Sequence, residues 1–278
     1  MATDRGLLFG TAGIPLSSGE QSTEAGIERV HELGLGCMEV EFVRGVYLSP
    51  ESAGAVGELA RARGIRLSAH APYFVNLNAR EPKKVAASRH RILQATRMTS
   101  LFGGASVVFH AAFYLGDSPS EVFSKVKQNL EQIVATLRAE GIGVQIRPEI
   151  TGKGSSFGTL EEVLKISADV EGVAPTIDFP HWHARTGEAN SYDEFAHTLT
   201  RIETVLGRDA LDDMHIHISG IEYGPKGERK HLTLAESDFN YVDLLRALKD
   251  RRVEGLAICE SPNREEDALE MQEIYGKL

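Results

Sequence analysis

The sequence predicts an α/β protein folded as a single closed (β/α)8 barrel of the TIM-barrel type, spanning residues 1–278, on three observations. Eight short apolar runs alternate with eight helical patterns along the 278 residues. The runs are apolar throughout rather than alternating, as strands buried on both faces are. Strand–helix alternation in turn requires a parallel sheet, and eight such units in under 280 residues fit a barrel. A doubly wound open sheet has the same rhythm, but no G-x-G-x-x-G follows the first run. No linker, low-complexity stretch or domain boundary interrupts the pattern, so one domain is expected.

Strands are expected at 7–12, 37–42, 65–69, 105–109, 142–148, 173–177, 214–218 and 255–259. Helices are expected near 23–34, 50–63, 83–102, 119–140, 159–169, 191–206, 238–249 and 265–276. Gly34, Gly64, Gly103 and Gly141 follow the first four helices, where a left-handed residue ends the turn. Ser49-Pro50 opens the second helix and Ser118-Pro119 the fourth, each a cap followed by a first-turn proline. In the fourth, Val122, Val126, Leu130, Ile133 and Leu137 recur at helical spacing. Thr159 and Glu162 have capping-box spacing for the fifth.

Composition narrows the function. Hydrophobic residues at 42% and charged residues at 25% are those of a soluble globular chain. No apolar run approaches the roughly 20 residues of a membrane span, and the N-terminus lacks a signal peptide's layout. Cys37 and Cys259 sit in strand-like runs and read as buried thiols, so a cytoplasmic setting is expected. A net charge of −10 argues against gripping nucleic acid by bulk electrostatics. It leaves room for a nucleic-acid enzyme whose acidic excess is partly metal ligands. The basic clusters Arg61–Arg66, Lys83–Arg97 and Lys226–Lys230 read as solvated faces and loops.

In such a barrel, chemistry belongs at the C-terminal ends of the strands. The residues there are His70, His110, Glu149, Asp178, His215 and His217, and Glu260, with His181, His183 and His231 in the loops just beyond. A single strand-end histidine reads as a hydrogen-bonded core residue. Three carboxylates meeting at a partly apolar mouth would repel one another, and burying them unpaired is costly. Few basic residues are expected at that rim, with Arg147 two positions before Glu149. Divalent metal is the economical counter-charge, and the mix of imidazole and carboxylate suits zinc or manganese. In TIDFPHWHA (176–184), Asp178 ends a strand and Pro180 turns the chain, so that His181 reaches the same cluster from a loop.

These residues sit in ordered motifs: SAHAPYFVNLN (68–78), VVFH (107–110), glutamate followed by TGKGSSFG (149–158), IDFPH (177–181), GERKHLTLAES (227–237) and CES (259–261). Together the motifs resemble the endonuclease IV family of apurinic/apyrimidinic endonucleases, within the xylose-isomerase-like barrels. The resemblance runs in order along nearly the whole chain. It implies three zinc ions at the mouth, and for this chain two to three zinc ions, with manganese as the other metal its donors suit, are expected. His70 and His110 would hold one ion, with Glu149 bridging to a second held by Asp178, a seventh-strand histidine and Glu260. His181 and His231 would hold the third. The implied reaction is hydrolysis of the phosphodiester 5′ to an abasic site in damaged double-stranded DNA, as in base excision repair. Glu149 would orient or deprotonate the attacking water. A monomer that makes no membrane contact is expected.

The chain departs from the family pattern in several places. Ala111 and Ala112 replace a proline and glycine after His110, and Arg147-Pro148-Glu149-Ile150 replaces a leucine–glutamate–asparagine run. Arg229 stands where the third site has an aspartate, with Glu228 one residue earlier as a substitute ligand. His215 and His217 share a strand face, and Ser219-Gly220 favours His217 as the ligand. For DNA, Tyr73 matches the family's inserted tyrosine, Phe74 lies beside it, and Arg44 follows the second strand. Two other functions fit the same barrel. A sugar isomerase or epimerase would need one ion on Glu149, Asp178, His217 and Glu260, and a non-catalytic metal-binding barrel would fit the altered third site.

Overall fold

The computed structural model describes residues 6–278. Eight parallel strands form the barrel: β1 (Leu7–Ala12), β2 (Cys37–Glu41), β3 (Arg66–His70), β4 (Ser106–Phe109), β5 (Gln145–Pro148), β6 (Thr176–Asp178), β7 (Met214–Ile218) and β8 (Gly255–Cys259). Their order in the sheet is β5-β4-β3-β2-β1-β8-β7-β6. Single bridges from Ile146 to Val173 and from Glu149 to Thr176 join β5 to β6 and nearly close the ring. Pro148 ends β5 and Pro175 precedes β6. Neither can donate to a ladder, so this seam is shorter than the apolar runs 142–148 and 173–177 suggested.

Among the described residues, nine helices surround the strands: α1 (Thr23–Glu32), α2 (Pro50–Arg63), α3 (Pro82–Leu101), α4 (Pro119–Ala139), α5 (Leu160–Asp169), α6 (Phe179–Thr186), α7 (Tyr192–Leu206), α8 (Tyr241–Asp250) and α9 (Glu265–Lys277). The expected caps are present. Ser118 with Glu121, and Thr159 with Glu162, form reciprocal capping boxes. Gly34, Gly64, Gly103 and Gly141 all have φ between 71° and 73°. Cys37 and Cys259 are free and buried.

α6 corrects the sequence reading, which left His181 and His183 in a loop. Asp178 closes β6 and also caps this helix, its Oδ1 accepting from the His181 N–H at 2.5 Å. Pro180 sits in the first turn, where a missing N–H costs nothing. Gly187, at φ 73°, ends the helix. The pattern Asp-Phe-Pro is therefore a helix start, and the helix sets the direction in which His181 enters the mouth.

A two-stranded hairpin, Gly220–Gly224 with Gly227–Leu232, rises after β7. Gly227 lies at φ 92°, and a Cβ there would sit 2.1 Å from the Gly152 carbonyl oxygen. A Cβ on Gly152 would in turn meet the Glu228 Cβ at 2.5 Å. Two glycines thus let the hairpin dock on the segment after β5, fixed by Glu228 N–H donating to Gly152 O at 2.9 Å.

Candidate metal centre

The strand ends bring His70, His110, Glu149, Asp178, His217 and Glu260 to one mouth, while α6 delivers His181 and the hairpin delivers Glu228 and His231. Their ligand atoms fall into three groups, the first two sharing Glu149: His70, His110 and Glu149; Glu149, Asp178, His217 and Glu260; and His181, Glu228 and His231. Within each group the atoms lie within 4.8 Å of one another.

Glu149 joins the first two groups through separate oxygens. Its Oε2 lies 3.2 Å from His70 Nε2 and 2.9 Å from His110 Nε2. Its Oε1 lies 3.1 Å from His217 Nδ1 and 3.4 Å from His181 Nδ1.

Backbone carbonyls select the imidazole tautomers. His70 Nδ1 lies 2.8 Å from Ala71 O, His181 Nδ1 lies 3.1 Å from Ile150 O, and His231 Nδ1 lies 3.2 Å from Glu260 O. A carbonyl only accepts, so each Nδ1 carries a proton, and in the neutral ring Nε2 is the nitrogen that offers its lone pair to a metal. The Nε2 atoms of His181 and His231 nevertheless face each other at 3.2 Å, with Glu228 Oε2 at 3.5 Å from the former. Two lone pairs and a carboxylate converging on one point call for a cation between them.

Charge makes the same demand. Burial opposes a charged imidazole, yet Glu149 and Glu41 carry His70 up to about 10. Against burial, Asp178 and Glu149 raise His181, and Glu260, Glu39 and Glu149 raise His217, both well above the ordinary range. Burial and the neighbouring Glu149 and Glu260 push Asp178 up to about 6, with His181 opposing. The carboxylates are recruiting positive charge from whatever will supply it. Asp178 Oδ2 and Glu260 Oε2 are enclosed and have no hydrogen-bond partner outside the cluster, facing His181 Nδ1 at 2.9 Å and His217 Nδ1 at 3.4 Å respectively, so both are available as ligand atoms. The His, Asp and Glu donor set fits zinc or manganese. Arg147 does not supply the charge. It is buried with its guanidinium on Pro175 O, Asp213 and Gln145, at the opposite end of the barrel.

Of the sequence candidates, His215 stands apart. It occupies the layer below the mouth, its Nε2 2.9 Å from Glu39 Oε2 and its Nδ1 3.1 Å from Ser106 Oγ. His183 also stays out of the cluster, its Nδ1 3.0 Å from Glu188 O. Tyr73 and Phe74 are 55% and 64% exposed beside the mouth, with the Tyr73 ring 5.6 Å from that of His70. Arg44 is exposed on the loop after β2 and makes no ion pair among the described residues. Two acidic residues escaped the sequence reading. Glu39 is buried beneath the mouth, and Glu41 ends β2, pushed up to about 8 by burial and by Glu39 and Glu260. Both lie in the run CMEVEF, whose apolar partners hide the period-two pair of glutamates that face inward.

A family model described as a xylose isomerase-like TIM barrel matches residues 27–277. The chain belongs to that family. It is 43% identical over 273 residues to an uncharacterized protein of Methanocaldococcus jannaschii, covering 98% of each chain. It is 26% identical over 167 residues to a probable endonuclease 4 of Geobacillus sp., covering 58% of this chain and about half, 53%, of that relative. Among solved structures, endonuclease IV from Thermus thermophilus superposes with a TM-score of 0.73 at 22% identity, covering 96% of this chain and 98% of that one. A D-tagatose 3-epimerase-like protein gives 0.72 at 20% identity, covering 96% of each. The relatives of endonuclease 4 type support the resemblance carried by the motifs, while the two superpositions speak for the fold alone. No helix of the described residues is long and apolar enough to cross a membrane.

Proposed function

We propose that this protein is a metal-dependent phosphodiesterase of the endonuclease IV type, cutting DNA 5′ to an abasic site. The observation that carries the reading is the division of Glu149: one oxygen faces His70 and His110, the other faces His217 and His181. A carboxylate shared in this way serves more than one ion. His70, His110 and Glu149 would hold the first, Glu149, Asp178, His217 and Glu260 the second, and His181, His231 and Glu228 the third. Divalent zinc there supplies Lewis acidity toward a phosphoryl oxygen and ready ionisation of water at neutral pH.

The chain's own residues do the rest. Glu149 sits at the centre of the cluster, placed to orient a water and to accept its proton. Val43, Tyr47, Tyr73 and Phe74 form an exposed apolar wall on the loops after β2 and β3. Such a wall can stack against bases on either side of an extruded abasic nucleotide, offsetting the cost of unstacking. Arg44 on the same loop is placed to meet a phosphate.

A second reading has its own support. Glu149, Asp178, His217 and Glu260 alone form a one-ion set, and a cavity of about 740 Å³ opens beside Glu260, lined also by Thr23, Glu41, Tyr47 and Tyr73. A sugar isomerase or epimerase could use both. It would leave His70, His110, His181 and His231 without a task.

The deciding experiment incubates the protein with a duplex carrying one abasic analogue, with zinc or manganese and with chelator. Metal-dependent nicking 5′ to the lesion is expected. Absence of nicking at every metal loading, together with epimerisation of a ketose, overturns the proposal.

A further inference from the structure

One layer below the proposed ions lies a buried polar group that no motif marks. Glu39 and His217 are each 0% exposed, and His215 and Ser68 are buried with them. Glu39 Oε2 accepts from Ser68 Oγ at 2.9 Å and lies 2.9 Å from His215 Nε2. Glu39 Oε1 lies 3.1 Å from His217 Nε2. The other face of the His217 ring, Nδ1, looks up at Glu149 Oε1 at 3.1 Å and Glu260 Oε2 at 3.4 Å.

From this arrangement we infer that Glu39 is a positioning residue for the second ion. Its Oε1 serves as acceptor for the Nε2–H of His217, and so fixes the tautomer and ring plane that leave Nδ1 free as a ligand. A neutral imidazole has one N–H and one lone pair. If Nδ1 binds metal, the proton must sit on Nε2, and in this dry layer that N–H needs an acceptor. Glu39 Oε1 is the carboxylate within reach.

The rest of the layer holds the Glu39 carboxylate in this orientation. Ser68 Oγ donates to Oε2, His215 Nε2 lies on the same oxygen at 2.9 Å, and Ser106 Oγ can donate to His215 Nδ1 at 3.1 Å. Glu39 Oε1, His215 Nε2 and His217 Nε2 are buried with no other hydrogen-bond partner, so these short contacts are the only outlets for the two ring N–H groups, and using them leaves both histidines neutral. Charge on an outer carboxylate also raises the basicity of the ligand histidine. The inference rests on metal occupancy of the mouth, and it is indifferent to whether the substrate is abasic DNA or a sugar.

Glu39→Gln tests it sharply. The two donors at Oε2 force the amide oxygen to that side, so the amide NH2 takes the place of Oε1 and points at His217. His217 must then accept at Nε2 and carry its proton on Nδ1, where the ion would bind.

The experiment titrates the chelator-stripped full-length protein with cobalt(II) and follows both competition with a chelating dye and the visible absorption of bound cobalt. For Glu39→Gln, one equivalent should bind roughly 10–100-fold more weakly with an altered cobalt band, while the remaining equivalents keep their affinity. Glu39→Asp, which restores the carboxylate, should recover part of the loss, and Ser68→Ala should show a smaller loss in the same equivalent. Those two variants decide the matter if Glu39→Gln does not fold. Wild-type affinities and spectrum in all the variants that fold, with only the melting temperature of the stripped protein lowered, would mean a merely structural role and overturn the inference. A fourth equivalent in the wild type that His215→Ala removes would overturn it too, since Glu39, His215 and His217 would then hold an ion of their own. Failure of the wild type to bind any cobalt would instead strike the metal reading of the mouth itself.

Discussion

Glu228 Oε2 lies 3.5 Å from His181 Nε2, filling a position that the sequence offered to arginine. In the hairpin, Arg229 turns outward onto Glu222, and Glu228 turns inward because Gly227 docks on Gly152. The third group is therefore complete in donors despite the altered motif. Glu228→Ala is expected to weaken one metal equivalent by at least about tenfold and leave the others unchanged, as read by dye competition on stripped protein. An unchanged third equivalent would remove Glu228 from the ligand set.

Gly227→Ala places a methyl group 2.1 Å from the Gly152 oxygen on a backbone at φ 92°. Both effects oppose docking of the hairpin, at a cost of about 1–3 kcal/mol. The same equivalent that depends on Glu228 should be lost, because His231 travels with the hairpin. Thermal melting together with metal titration checks both halves of the expectation.

Glu149→Gln should reduce nicking of an abasic duplex by roughly a hundred- to ten-thousand-fold while far-ultraviolet dichroism stays that of the native protein. Activity within a few-fold of wild type would remove its proposed role.

Tyr73→Ala should weaken binding of an abasic duplex by about 1–3 kcal/mol and leave intact duplex nearly unaffected, measured by fluorescence anisotropy. Equal losses on both duplexes would make Tyr73 a packing residue over His70.

Stability of the stripped protein should fall with rising pH. His70 is raised from its ordinary 6.5 to about 10, so its contribution is full below about 6.5 and is lost as pH climbs through 10. Glu41 is raised from 4.5 to about 8, so its contribution is full below about 4.5 and declines through 8. Glu149 and Glu39 are held well below 4.5, and their contributions stay constant over this window. Melting temperature should therefore drop between pH 6.5 and 10 without metal. Bound ions replace the protons, so the zinc-loaded protein should lose less. Equal pH slopes for the two forms would contradict a metal-compensated cluster.

Periodicity and caps were enough to place the eight strands and eight of the nine helices among the described residues, because continuous apolar runs and cap residues act locally. The same alphabet marked His70, His110, Glu149, Asp178, His181 and Glu260, since polar residues at the ends of apolar strands have few other reasons to be there. What the sequence by itself could not decide was which of two alternating histidines faces the mouth, or what a glutamate inside an apolar strand does. Barrel register settles His217 over His215, one layer apart on the same face. It also brings Glu39 from β2 beneath a histidine of β7, far away along the chain. Such contacts depend on stagger around a closed sheet, a long-range quantity that no local pattern encodes.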